Sequence, residues 1–366
     1  MNASDEPLLT SFATAEVTPS RRSFLLSSPA ILASGLAILE ESSLHSARAS
    51  AQQPSQPAIW SREYWARRGD IKLYLFRKNA GSASSGHSTR PILFLCHGSS
   101  VSSRPTFDLT VPGHGEYSLM DKFVEFGFDV WTMDFEGYGR SSPSAGNSNV
   151  ADGVEDLKAA SLVVQLETGQ PSFHLYGESG GALRAGAFAV AQPASVRRLV
   201  LAAFTWTGKG SSTLTKRAES LDSYRTHNLR PRDRDAIRSI FTRDKPGTSD
   251  PAVAEAMADA ELKFGDSAPT GTYLDMSANL PLVDPTKLRA PVLIVRGEYD
   301  GIATEEDLLN FFRSLPVPDR EFIILPGAAH SVALGTNRSQ LWHTMRAFLD
   351  MPTRLDQRPA PPTSGL

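Results

Sequence analysis

Residues 173–188, FHLYGESGGALRAGAF, run from apolar strand formers through Gly-Glu-Ser-Gly-Gly straight into an alanine-rich helical pattern. A chain that turns from strand to helix within a few residues needs glycine wherever side chains would collide, and the residue at the apex is pushed into the open. That apex is Ser179. The glycines at 177, 180 and 181 exceed what packing of a plain tight turn needs.

Outward from this stretch, strands and helices alternate. RPILFLCHG reads as an apolar strand, GEYSLMDKFVEFG as a helix, FDVWTMDF as a strand, GVEDLKAASLVVQLETG as a helix, and VRRLVLAAF as the strand after the Ser179 helix. Upstream, EYWARRGDIKLYLFRKN reads as a hairpin about Arg67-Arg68-Gly69-Asp70. The rhythm breaks from Thr205 to Leu288, a charged, helical stretch without an apolar strand. It resumes with APVLIVRGEYD, the helix EEDLLNFFRSL, the strand REFIILPG and a last helix, RSQLWHTMRAFLDM. This alternation predicts an α/β domain with a mostly parallel sheet flanked by helices. The excursion is too long for a plain connection and reads as a helical cap inserted after the sixth strand. The expected organisation is an export signal and linker at 1–51, core at 52–204, cap at 205–288, core again at 289–351, and a disordered tail at 352–366.

The chain has 366 residues, of which 40% are hydrophobic and 21% charged, enough to bury a large core. A formal net charge of -3 supplies no basic excess for nucleic acid, which is set aside as a partner. Near the N-terminus, Arg21 and Arg22 precede a moderately apolar stretch, Ser23 to Leu39, and small residues follow at SARASA. This resembles a twin-arginine export signal with cleavage after Ala49 or Ala51, and implies a periplasmic or secreted protein. The apolar run is short for a stable membrane span and is followed by Glu40 and Glu41. The single cysteine, Cys96, sits in an apolar strand and reads as an inert buried thiol.

Three further signals fall at strand ends, where open α/β sheets place their ligands. GESGG follows one strand, GEYD another and GAAHS a third, in the chain order Ser179, Asp300, His330. This order in these contexts resembles the α/β-hydrolase fold, in its serine esterase and lipase-like branch, over roughly residues 60–350. The resemblance implies Ser179 as nucleophile, His330 as general base and Asp300 as the acid that orients the imidazole. The chemistry agrees: a serine hydroxyl is a poor nucleophile until an imidazole takes its proton, and the imidazolium needs a carboxylate. Glu298 is a rival acid. By the same resemblance the N–H groups of Ser99, in LCHGSSVSSR, and of Gly180 form an oxyanion hole, with Ser100 able to take the place of Ser99. His97 and, in DFEGYGRSS, Asp134 and Arg140 are read as loop-stabilising, and Glu178 as solvated or paired locally.

Within the cap, Trp206 is the expected aromatic wall of the substrate pocket, with some of Tyr224, Phe241, Phe264, Tyr273, Leu274 and Met276 lining it. No cluster with metal-ligand spacing appears, so no metal and no cofactor is expected. The expected function is cleavage of a carboxylic ester of a small to medium apolar substrate. Lactone, amide, carbamate or carbon–carbon bond hydrolysis would use the same triad, and a ligand-binding homologue would keep it without turnover.

Overall fold

The computed structural model describes residues 58–81, 89–143 and 145–352. The export signal, most of the linker after it and the tail beyond Pro352 lie outside the described residues. The first two strands, β1 (Ile59–Arg68) and β2 (Ile71–Ala80), form the expected hairpin. Its turn is tighter than read: Arg68 already pairs with Ile71, and Gly69, at φ 58°, supplies the left-handed residue of the two-residue connection.

The chain then runs through β3 (Ile92–Cys96), α1 (Ser103–Phe107), α2 (Leu119–Glu125), β4 (Asp129–Met133), α3 (Val150–Thr168), β5 (Phe173–Glu178), α4 (Gly180–Ala191) and β6 (Val196–Ala202). After an insertion it continues with β9 (Val292–Gly297), α10 (Glu305–Ser314), β10 (Arg320–Leu325) and α11 (Arg338–Leu349). These strands form one eight-stranded sheet in the order β1-β2-β4-β3-β5-β6-β9-β10. Only the β1/β2 and β2/β4 pairings are antiparallel. This is the α/β-hydrolase fold.

Strand alternation divides the core between two faces, because successive Cβ atoms point to opposite sides. Leu73, Leu75, Phe94 and Cys96 pack with α3, α4 and α10, whereas Tyr74, Phe76, Leu93 and Leu95 pack with α2 and α11. Helix α3 begins where Asn149 and Asp152 cap each other's N–H groups, and it ends at Gly169, left-handed at φ 70°.

The insertion between β6 and β9 contains α5 (Ser212–Ala218), α6 (Leu221–Thr226), β7 (Leu229–Pro231), α7 (Arg234–Thr242), α8 (Pro251–Glu261), β8 (Ser267–Pro269) and α9 (Gly271–Ala278). The sequence predicted helices alone. The structure adds a short antiparallel pair, β7 with β8, in which Arg230 faces Ala268. Ile237 and Phe241 of α7 and Val253 and Met257 of α8 bury themselves against Val101, Leu109 and Leu334, residues of the loops after β3 and β10. The insertion therefore sits on the loops at the carboxyl ends of the strands. No helix among the described residues is long and apolar enough to cross a membrane.

Candidate active site

Ser179 lies between β5 and α4 with φ 56° and ψ -123°, a left-handed conformation that costs a non-glycine residue about 1–3 kcal/mol. The turn is held by Ser179 N–H to the Ala202 carbonyl at 2.9 Å and Ala182 N–H to the Ser179 carbonyl at 2.9 Å. Its glycines are there for contact. A Cβ on Gly177 would lie 2.4 Å from the Gly181 carbonyl oxygen, and one on Gly181 would lie 2.2 Å from that of Cys96. Helix α4 can start this close to β3 and β5 only without those side chains.

His330, in the loop after β10, places Nε2 2.9 Å from Ser179 Oγ and Nδ1 2.9 Å from Asp300 Oδ1. Asp300 and His330 are both buried. Burial pushes the Asp300 carboxyl upward, but the charge and hydrogen bond of His330 and the Ile302 N–H outweigh it and hold it below the usual carboxylate range. With a carboxylate on Nδ1, that nitrogen carries the proton and Nε2 is free to accept one. Glu298, the rival acid, instead accepts the Gly327 N–H at 2.7 Å and ties the loops after β9 and β10 together.

Gly180 and Ser99 stand against each other: a Cβ on Gly180 would lie 3.5 Å from Ser99 N and 2.0 Å from Ser99 Oγ. The Ser99 hydroxyl is buried without a hydrogen-bond partner among the described residues and lines the cavity over Ser179. The loop carrying it is pinned by His97. Burial drives the His97 pKa down to about 3, so the ring is neutral; Nδ1 donates to the Gly98 carbonyl at 2.8 Å and Nε2 accepts the Phe135 N–H at 3.1 Å. Asp134 accepts from the Ser103 N–H and hydroxyl and from the Arg140 N–H, and Arg140 pairs with Glu63. Cys96 is fully buried, and burial raises its thiol pKa.

Of the two readings of Glu178, solvated or paired locally, the structure has the second: it is buried beneath the turn, accepts the Tyr176 hydroxyl at 2.9 Å, and burial pushes its pKa up to about 7. Two expectations are corrected. Trp206 does not wall the cavity over Ser179. Its N–H bonds Asp307 at 3.1 Å, its indole N–H donates to the Val283 carbonyl at 3.2 Å, and its ring meets Phe311 edge-on at 5.8 Å, all toward α10. The pocket is also not simply apolar. Of the six apolar and aromatic candidates, Phe241 and Tyr273 line the cavity of about 50 Å³ with Ser100, but Arg217 and Arg243 line it too. Ser100 Oγ is 3.0 Å from the Tyr273 hydroxyl.

Sequence reasoning also missed Asp244, whose carboxylate lies within 4.8 Å of both Asp300 and His330. The two ring nitrogens of His330 are already directed at Ser179 and Asp300, so the group is built as a hydrogen-bonded chain. The signal for Arg217, Arg243 and Asp244 was weak, because in a charged helical stretch they read as a solvated face.

Residues 109–336, more than half of the chain, match the family described as serine aminopeptidase, S33 (Hydrolase_4). The chain belongs to that family. The matched span includes Ser179, Asp300 and His330. Among solved structures, this S33-family hydrolase resembles E-2-(acetamidomethylene)succinate hydrolase, with TM-score 0.58 and 19% identity over 80% of this chain and 100% of that one. It also resembles 2-hydroxy-6-oxo-6-phenylhexa-2,4-dienoate hydrolase from Rhodococcus sp. strain RHA1, with TM-score 0.58 and 17% identity over 80% of this chain and 100% of that one. Naproxen esterase from Bacillus subtilis aligns with TM-score 0.55 and 17% identity over 79% and 92%. At these identities the likeness is one of fold. No curated protein sequence matches the chain.

Proposed function

We propose that this S33-family hydrolase is a serine esterase that works through an acyl-enzyme. One observation carries the reading: the strained Ser179 presents Oγ to His330 Nε2 at 2.9 Å while Asp300 holds the opposite ring nitrogen. Ser179 Oγ attacks the ester carbonyl and its proton passes to His330 Nε2. Asp300 stabilises the imidazolium without taking the proton. The oxygen that becomes negative is received by the N–H groups of Ser99 and Gly180, a reading supported by the close approach of these two residues beside Ser179. His330 then protonates the leaving alkoxide, and a water activated by the same imidazole releases the acid. Esters are favoured over amides because an alkoxide leaves more easily. The insertion acts as the cap, since Phe241, Tyr273 and Met257 close the space over Ser179.

A fluorophosphonate probe tests the nucleophile, and mass mapping of the adduct to Ser179 is expected. A panel of esters, lactones, carbamates, amides and carbon–carbon bond substrates tests the class. A folded protein that neither labels nor turns over any of them is the outcome that sinks the enzyme. The arginine pair near the N-terminus supports export in the mature form. Replacing Arg21 and Arg22 by lysine should leave the precursor inside the cell, and an extracytoplasmic form whose intact mass includes Met1 would rule out cleavage.

A further inference from the structure

The arginines of the insertion fall into two groups. Those on its outer and lower sides have carboxylates: Arg232 pairs with Glu261, Arg234 with Glu255 and Asp259, and Arg238 with Glu255 and Asp235. Arg217 and Arg230, beside Tyr273, do not, and Arg243 has only a long contact. Among the described residues Arg217 has no carboxylate partner; its one side-chain hydrogen bond is Nη1 to the Met276 thioether at 3.5 Å, a weak acceptor. Arg230 bonds only the Ser99 carbonyl at 3.0 Å and Ser100 Oγ at 3.2 Å, and its Nε is buried without a partner. Arg243 meets a single carboxylate, Asp244, at 3.6 Å.

These three converge on Tyr273. The Arg217 guanidinium lies 3.8 Å from one ring centroid contact and that of Arg230 4.0 Å from the same centroid, so two cations share one aromatic ring. Burial would raise the Tyr273 pKa, yet the charges of Arg230, Arg217 and Arg243 draw it down to about 7. The acids facing this region from the sheet side are Asp300, engaged with His330, and Glu178, engaged with Tyr176. On the insertion side a single carboxylate of the described residues, Asp244, stands among Lys216, Arg217, Arg230 and Arg243, so the balance of charge there is positive. Arg217 and Arg230 are half-buried side by side with no carboxylate on either, an arrangement that is costly unless something anionic completes the group.

Arg217, Arg243 and Tyr273 line the small cavity over Ser179 and also an open cavity of about 550 Å³ beyond it, where Lys216 joins them. The inner space, about 50 Å³, holds little more than a short acyl group. We propose that Arg217 and Arg243, with the Tyr273 hydroxyl, bind a carboxylate on the alcohol portion of the substrate, so that the ester cleaved at Ser179 is a short-chain acyl ester of an anionic alcohol or phenol. The planar guanidinium fork matches a carboxylate in two parallel hydrogen bonds. This deepens the esterase reading and rests on it for the position of the scissile bond. The anion site itself stands without it.

The test uses 4-acetoxybenzoate and its neutral methyl ester, which share the acetyl group; release of the para-substituted phenol is followed for both, and each kcat/KM is divided by the hydroxide-catalysed rate of the same compound to remove the difference in leaving-group acidity. Full-length enzyme is expected to favour the anion in kcat/KM. Arg217→Gln should collapse that ratio by on the order of 10- to 100-fold, the range for losing a hydrogen bond to a charged group. Arg217→Lys should restore part of it, and Arg243→Gln should act in the same direction. Binding of both compounds to Ser179→Ala, read by calorimetry with and without Arg217→Gln, measures the same preference without turnover. If nothing is hydrolysed but Ser179→Ala still prefers the anion through Arg217, the esterase reading fails and the anion site stands. Equal affinity and equal kcat/KM for the two compounds, or a preference unchanged by Arg217→Gln and Arg243→Gln, overturns the proposal.

Discussion

The two halves of the candidate site are built in opposite ways. On the sheet side, Ser179, Asp300 and His330 follow the ends of β5, β9 and β10, of which β5 and β9 are buried for most of their length and β10 is the half-exposed edge strand. Their positions follow from backbone: a strained turn, glycines that permit contact, and loops cross-tied by Glu298 to the Gly327 N–H. On the insertion side, short helices carry charged side chains whose placement depends on which of them find partners. Arg232 and Arg238 do; Arg217 does not. The sheet supplies chemistry with little freedom to vary, and the insertion supplies recognition with much.

The largest effects test the sheet side. Ser179→Ala and His330→Ala should each lower kcat by about 10⁴-fold or more in steady-state kinetics, and the double variant should be little worse, because the group acts as a unit. Near-full hydrolysis by Ser179→Ala would end that half of the comparison. Asp300→Asn should cost about 10³- to 10⁴-fold through a wrong tautomer of His330, whereas Glu298→Gln, whose carboxylate accepts the Gly327 N–H and does not meet His330, should cost far less. The reverse ranking would move the acid.

Trp206→Ala probes the join between the halves. It removes a ring packed on Phe311 and an indole bond to the Val283 carbonyl, so denaturant unfolding should show a loss of about 2–4 kcal/mol. The kcat/KM values of the surviving folded protein should scale alike for small and bulky esters. A loss that grows with substrate size would return Trp206 to the pocket.

The smallest expected effect concerns pH. His174, on β5, is buried, and burial lowers its pKa to about 3, below the ordinary value for the unfolded chain. The unfolded state therefore takes up a proton first as pH falls, and stability from this group is present above about pH 6.5 and lost toward pH 3. Between pH 7 and 5 the native protein should lose about 2 kcal/mol more than His174→Gln in urea unfolding. Identical losses would mean that this histidine is not held neutral.

What was legible in the sequence divides along the same line. Glycines at 177, 180 and 181, and acidic and histidine residues just past apolar runs, are local signals, so the succession of strands and helices, the turn and the meeting of Ser179, Asp300 and His330 could be anticipated, whereas the order of the strands in the sheet could not. Arg217, Arg230 and Arg243 occur in a stretch as charged as any solvated helix. Only the folding of α5, β7 and the end of α7 around Tyr273 distinguishes them from Arg234 and Arg238, and that is long-range information. Trp206 misled for a related reason: its place four residues past β6 says where the backbone leaves the sheet, not to which side the ring turns. The capping pair Asn149 and Asp152 was a local signal that went unread, so α3 starts earlier than expected.

The loop after β3 is tied to the insertion. Its Ser99 carbonyl accepts both the Tyr138 hydroxyl at 3.0 Å and Arg230 of the insertion at 3.0 Å, and three residues on, the Ser102 N–H and hydroxyl both donate to Glu261 of α8. The loop that carries Ser99, the proposed oxyanion donor, is thus held by hydrogen bonds from the insertion and from the loop after β4 alike, so the seating of the insertion and the geometry of the proposed oxyanion site are mechanically one: a displacement of the first would be passed directly to the second.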